Sequence, residues 1–184
     1  MKKQITLIAG AAALLALMPL TSCDKIKDEL FKAFSANSGS VNFSVAILSD
    51  TTRQVKAGEM VQQYNIDSII KAETSGAFGI DDIDRIIVEE VKVKVNNPDV
   101  DNNLANFQDG TVTLSSNTNP TPLTLATGPI PDVYADEKVL PAVSGTDIKS
   151  YLKSNTLTYT YNAKLRRATT KALDCTLNVK FRIE

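Results

Sequence analysis

Asp99, Asp101 and Asn103 place oxygen-bearing side chains at the first, third and fifth positions of one segment, the spacing with which a calcium loop begins. The match stops there, because Leu104 stands where the sharp turn wants glycine and Gly110 where a bidentate glutamate belongs. Asp and Asn clusters between strands usually form turns, which is the favoured reading, and no metal is assigned. A second acidic group, Asp81, Asp82 and Asp84 with Glu89 and Glu90, contains enough carboxylates for the acid and base of a glycoside hydrolase. That chemistry needs a cleft, whereas carboxylates alternating with valine describe a solvated strand face. Lys164, Arg166, Arg167 and Lys171 form a basic cluster near the C-terminus that could meet anionic headgroups or acidic polysaccharide, or simply serve solubility. The chain has no histidine, so the commonest general base and transition-metal ligand is missing, and neither a serine–histidine nor a cysteine–histidine pair can be built. No phosphate-binding loop, dinucleotide fingerprint or nucleophile elbow is present. These observations favour a non-enzymatic protein with no catalytic residue and no cofactor.

Cys23 is the one residue set in a specific chemical context. Met1-Lys2-Lys3 is a basic start, Ile5 to Leu17 is apolar, and Leu20-Thr21-Ser22-Cys23 follows. Pro19 interrupts the apolar run, which falls short of the roughly 20 residues needed to span a bilayer. Leu20 to Cys23 resembles the lipobox of bacterial lipoproteins, in which the thiol receives a diacylglycerol and the signal is removed. Only a thiolate among the side chains is nucleophilic enough for that alkylation near neutral pH. The resemblance implies residues 1–22 as a signal peptide, Cys23 as the lipidated first residue, and acyl chains as the membrane partner; two or three chains hold a protein essentially permanently.

The remaining chain, roughly 160 residues, is one domain's worth. Without Lys2 and Lys3 it keeps 18 basic against 21 acidic residues, a near balance that argues against a nucleic-acid partner. With Cys23 lipidated, Cys175 has no disulfide partner, and its phase with Leu173 and Leu177 predicts a buried, unreactive thiol. Tryptophan is absent, so a glycan platform would have to come from Tyr64, Tyr134, Tyr151, Tyr159 and Tyr161, of which the alternation assigns Tyr159 and Tyr161 to the core.

The elements that must position these groups are mostly strands. Residues 23–40 read as a charged tether, with Ile26, Leu30 and Phe34 as a helical stripe that could lie on the lipid surface and Asn37 to Ser40 as its stop; a spacer is the other reading. Period-two alternation predicts strands at Val41 to Ile47, near Gln62 to Ile70, at Ile87 to Val95, Gly110 to Ser115, Leu123 to Ala126 and Val139 to Val143. Leu157 to Leu165 and Leu173 to Ile183 alternate most clearly, and residues 166–170 read as a hairpin turn between them. Gly128 to Asp132 is read as irregular because of its prolines. A helical turn capped by Asp81 and a short helix at Thr146 to Lys153, capped by Thr146, complete the chain. Residues 41–184 are therefore expected to form an all-β antiparallel sandwich, immunoglobulin-like or jelly-roll-like, with one or two short helices.

Lipobox, charged tether and all-β domain together resemble small cell-envelope lipoproteins of the Bacteroides group. The resemblance implies a membrane-anchored envelope location, with the outer membrane expected. By the rule of enteric bacteria, Asp24 would instead mean inner-membrane retention. The expected function is a binding or assembly module presenting loops such as 96–109 and 116–132, or a sheet edge, to a protein or glycan partner. The alternatives are a carboxylate-dependent glycoside hydrolase and an accessory glycan-binding lipoprotein.

Overall fold

The computed structural model describes residues 31–184, so Cys23, the expected signal peptide and most of the expected tether lie outside the described residues. Eight strands are described: β1 (Phe34–Val45), β2 (Gln54–Gln63), β3 (Ile86–Val95), β4 (Phe107–Ser116), β5 (Leu123–Pro129), β6 (Glu137–Leu140), β7 (Thr156–Leu165) and β8 (Leu173–Ile183). They form two antiparallel four-stranded sheets, ordered β1-β8-β3-β6 and β2-β7-β4-β5, packed against each other as a sandwich.

Alternation puts one side of each strand into the shared core. Along β7, Leu157, Tyr159, Tyr161, Ala163 and Leu165 are buried; along β8, Leu173, Cys175, Leu177, Val179, Phe181 and Ile183 are. β3 keeps Ile86 and Val88 inward together with Val91, Val93 and Val95 because a register shift between Val88 and Glu90 restores the phase. The centre is aromatic. Tyr161 meets Phe43 edge-on at a ring separation of 6.0 Å and Phe107 at 6.1 Å. Two glycines admit these rings: a Cβ on Gly58 would fall inside the Phe43 ring's contact distance, and one on Gly110 would lie 2.9 Å from the Tyr161 hydroxyl.

Several local expectations are corrected. β1 starts at Phe34 and runs through Asn37 to Ser40, which make a bulge and do not end the tether. Ser38 is buried there, and its Oγ accepts the Val179 N–H at 3.1 Å. Ile47 lies beyond the strand and is exposed. The second strand precedes the expected one, and residues 66–73 form helix α1 (Ile66–Glu73). Asn65 caps it by accepting the Ser68 N–H, Asp67 pairs with Lys71 one turn on, and Ile66 and Ile70 share its buried face. The turn at Ile80–Asp82 is closed by Asp82, which accepts the Gly79 N–H, and not by Asp81. Helix α2 (Lys149–Leu152) is preceded by Asp147, whose Oδ1 accepts from both Lys149 N and Ile86 N; Thr146 is not the cap. β5 includes Gly128 and Pro129, tolerated because β5 is an edge strand.

Residues 166–172 do not make a hairpin: β7 and β8 lie in different sheets, and this connection crosses the sandwich. Among the described strands only β4 and β5 are consecutive neighbours within one sheet. The four edges are blunted against further pairing. β1 and β2 carry register shifts at Asn37/Ser40 and Lys56/Gly58, and β6 is four residues long. β5 is partly covered by the chain after β6, where Thr127 N donates to Pro141 O and Val143 N to Leu125 O.

Candidate functional site

Strand directions bring four connections to one end of the sandwich: residues 46–53, 96–106, 130–136 and 166–172. The 116–122 connection, expected to act with 96–109, lies at the opposite end because β4 and β5 turn back there.

Three asparagines form the base of this loop end, all buried. Asn106 accepts the Asn103 N–H at 2.9 Å and donates to the carbonyls of Asp101 and Ala168, at 2.9 and 3.1 Å. Asn102 accepts the Thr170 N–H at 2.8 Å and donates to Asp99 Oδ1. Asn103 caps the single turn at Leu104–Asn106 by accepting the Ala105 N–H, and it donates to the carbonyls of Asp99 and Val100. A buried amide suits this task because it donates and accepts at once without a charge to desolvate.

The basic cluster is spent on the same loops. Arg166 donates to the carbonyls of Ala105, Phe107 and Ile130, at 2.8, 3.0 and 2.8 Å, joining three segments through one guanidinium. Arg167 donates to Ala105 O and pairs with Asp132 at 2.6 Å, and Lys171 pairs with Asp99 at 2.6 Å. Thr169 ties in the fourth connection, its Oγ1 accepting from Leu48 N and its N–H donating to Leu48 O. Leu104 N donates to Ala135 O, linking 96–106 to 130–136.

Asp99, Asp101 and Asn103 thus build a turn. Asp99 Oδ1 accepts from Asp101 N and Asn102 N, its Oδ2 faces Lys171, and Asn103 is buried beneath. Lys171, then Asn102, hold the Asp99 carboxyl down to about 2. No group of three or more His, Cys, Asp or Glu side chains placed to hold a metal ion occurs among the described residues. The other acidic residues are dispersed. Asp81 pairs with Lys153, and Glu89 with Lys180 and Ser35, which lower its pKa. Asp50, Asp67 and Glu184 are also shifted downward by their hydrogen-bond partners, the direction opposite to that of a carboxyl made into a general acid.

Cys175 is 2% exposed and burial pushes its thiol up to about 12, the environment of an inert core cysteine. Tyr159 and Tyr161 are in the core and Tyr64 is buried, its hydroxyl donating to Asn37 O, so the tyrosines do not gather on a surface.

Apart from Tyr134, already named among the candidate aromatics, the residues that the pattern did not single out are apolar and sit at the loop tips. Ile47, Val100, Val133 and Tyr134 are 62%, 86%, 64% and 60% exposed, and each lies in one of the connections at this end. The available signal was an apolar residue flanked by turn formers, as in Asp99-Val100-Asp101 and Asp132-Val133-Tyr134. The cations near these tips are paired internally, Arg53 with Asp50, Arg167 with Asp132 and Lys171 with Asp99. The loop end thus carries exposed apolar side chains above a hydrogen-bonded polar base. No protein-family model matches the chain, and no curated protein matches it. No helix among the described residues is long and apolar enough to cross a membrane.

Proposed function

We propose that the protein is a lipid-anchored, non-enzymatic binding module of the cell envelope, held at the outer membrane by acyl chains on Cys23, whose loop end docks a protein partner. The carrying observation is that Ile47, Val100, Val133 and Tyr134 all stand on connections at one end, which buried asparagines, Arg166 and Thr169 tie together. Preorganised loops lose little entropy on binding, so even a few apolar contacts are productive. Internally paired cations give an anionic polymer or headgroup little to hold, and the single exposed tyrosine is a narrow platform for a glycan. Dispersed carboxylates with lowered pKa values favour this reading over a hydrolase.

Position supports the same reading. β1 begins at Phe34, at the end of the sandwich opposite the tips, and a ten-residue strand is about 33 Å long. The test is photo-cross-linking in cells from a benzoylphenylalanine at Val100 or Tyr134, with Ser44 on the outer face of β1 as control. A discrete protein adduct from the loop positions, lost on adding Val133→Asp, is the expected result. Equal labelling from Ser44, or lipid adducts alone, would sink the docking role. Cys23→Ala should release the protein from the membrane fraction; if it fractionates like the wild type, the anchor is wrong.

A further inference from the structure

Each of the four connections at the loop end passes from one sheet to the other, and the strand orders set them side by side as 46–53, 166–172, 96–106 and 130–136. Their charges are unequally engaged. The row holds five carboxylates, Asp50, Asp99, Asp101, Asp132 and Asp136, and four cations, Arg53, Arg166, Arg167 and Lys171. Every cation has an internal acceptor: Arg53 on Asp50, Arg166 on the carbonyls of Ala105, Phe107 and Ile130, Arg167 on Asp132 and Lys171 on Asp99. Asp101 and Asp136 are exposed, and their carboxylates have neither an ion pair nor a hydrogen bond among the described residues. Asp101 lends only backbone to its turn, its N–H to Asp99 and its carbonyl to Asn106, and Asp136 lends its carbonyl to Val95 N. The strand ends beneath do not reverse the balance. Lys94, Lys138 and Lys164 there are matched in number by Asp109, Glu137 and Asp174, with Lys94 in register with Glu137 and Lys164 with Asp109.

We infer that the partner docked at this end, on the reading proposed above, is a protein whose contact surface sets Lys or Arg beside apolar side chains. The reason is desolvation. Val100 and Asp101 are neighbours in one turn, so a partner that covers the first also takes water from the second. Asp136 stands two residues beyond Tyr134 and meets the same fate. A carboxylate dehydrated without a counter-charge is strongly disfavoured, and no cation of the row is free to turn to it. The partner must therefore bring the cation, and a guanidinium suits the task because it can bond a carboxylate through two N–H groups. A purely apolar partner strands both aspartates. An acidic one adds like charge to them and has to take Arg167 from Asp132 or Lys171 from Asp99. Asp99 and Asp132, which also adjoin the apolar tips, make no such demand because their counter-charges are internal.

Photo-cross-linking of the full chain, in the cells that make it, tests this with probe and substitution on different connections. Benzoylphenylalanine at Tyr134 reports on Asp101, and at Val100 it reports on Asp136. Asp101→Asn should lower the Tyr134 adduct and Asp136→Asn the Val100 adduct, each by about one-and-a-half- to fivefold, the strength of an exposed ion pair. Asp101→Lys should lower its adduct further, whereas Lys94→Gln and Lys164→Gln should leave both unchanged. In membranes isolated from the same cells, the adducts of the unsubstituted loops should fall as salt is raised, because exposed pairs are screened. Adducts indifferent to both asparagine substitutions and to salt overturn the proposal. So do adducts strengthened by Asp101→Asn, the mark of an acidic partner. An adduct that ignores these changes yet is lost on adding Val133→Asp removes the partner's charge and leaves the docking role standing, whereas no adduct from either probe in the unsubstituted loops removes both.

Discussion

Asn106→Ala is the most informative perturbation of the loop end. The side chain is 1% exposed and makes three hydrogen bonds, from Asn103 N and to the carbonyls of Asp101 and Ala168. Truncation leaves one buried N–H and two carbonyls short of partners, at about 1 kcal/mol each. The expected loss is about 3 kcal/mol, a large fraction of the roughly 5–15 kcal/mol available to a domain. Where the loss appears matters more than its size. Asn106 joins 96–106 to 166–172 but lies outside the interleaved core strands, so these segments should open locally. Amide exchange at Asn103, Arg166 and Arg167 should accelerate on the order of a hundredfold while β8 amides change far less. Urea denaturation measures the global part. Unchanged exchange in these loops with under about 1 kcal/mol lost would show that the asparagine does not hold them, and the preorganisation behind the docking role would go with it.

Three further outcomes follow from the same structure. The Tyr161 hydroxyl is buried without a hydrogen-bond partner, so Tyr161→Phe should be neutral or up to about 1 kcal/mol stabilising in thermal unfolding; a clear loss would reveal a bound partner for the phenol. Gly58→Ala drives a methyl into the Phe43 ring and should cost about 1–3 kcal/mol, with Phe43→Leu restoring much of it in the double variant, since overpacking is relieved by a smaller neighbour. If the two losses simply add, ring contact is not the cause. Asp99 is held at about 2 in the folded state against an ordinary 3.8, so its contribution is complete above about 4 and disappears as the pH falls toward 2. Asp99→Asn should flatten acid unfolding within that window, as should Lys171→Met, and an unchanged profile in both would place acid sensitivity elsewhere.

The sequence determined the class of this fold. Alternation along Leu157–Leu165 and Leu173–Ile183 can be satisfied only by strands with one buried face, which is local information, and Cys175 was legible as core from its phase alone. Where a pattern broke, reading failed for local reasons as well. Asn37–Ser40 looks like a stop, yet a bulge lets the strand continue once Ser38 finds Val179 N across the sheet. Which strands pair, and which loops share an end, is not local. Residues 166–170 serve equally well as a hairpin or as a crossing, and the choice falls to the crossing because both neighbouring strands take interior positions in separate sheets. That choice converts a basic cluster with the composition of a solvated turn into guanidiniums spent on backbone carbonyls, and an incomplete calcium spacing into a capped turn. It also gathers Ile47, Val100, Val133 and Tyr134, scattered over nearly ninety positions, at one end of the molecule. Side-chain type and period are written in the chain, whereas convergence depends on free energies of pairing that no single segment carries.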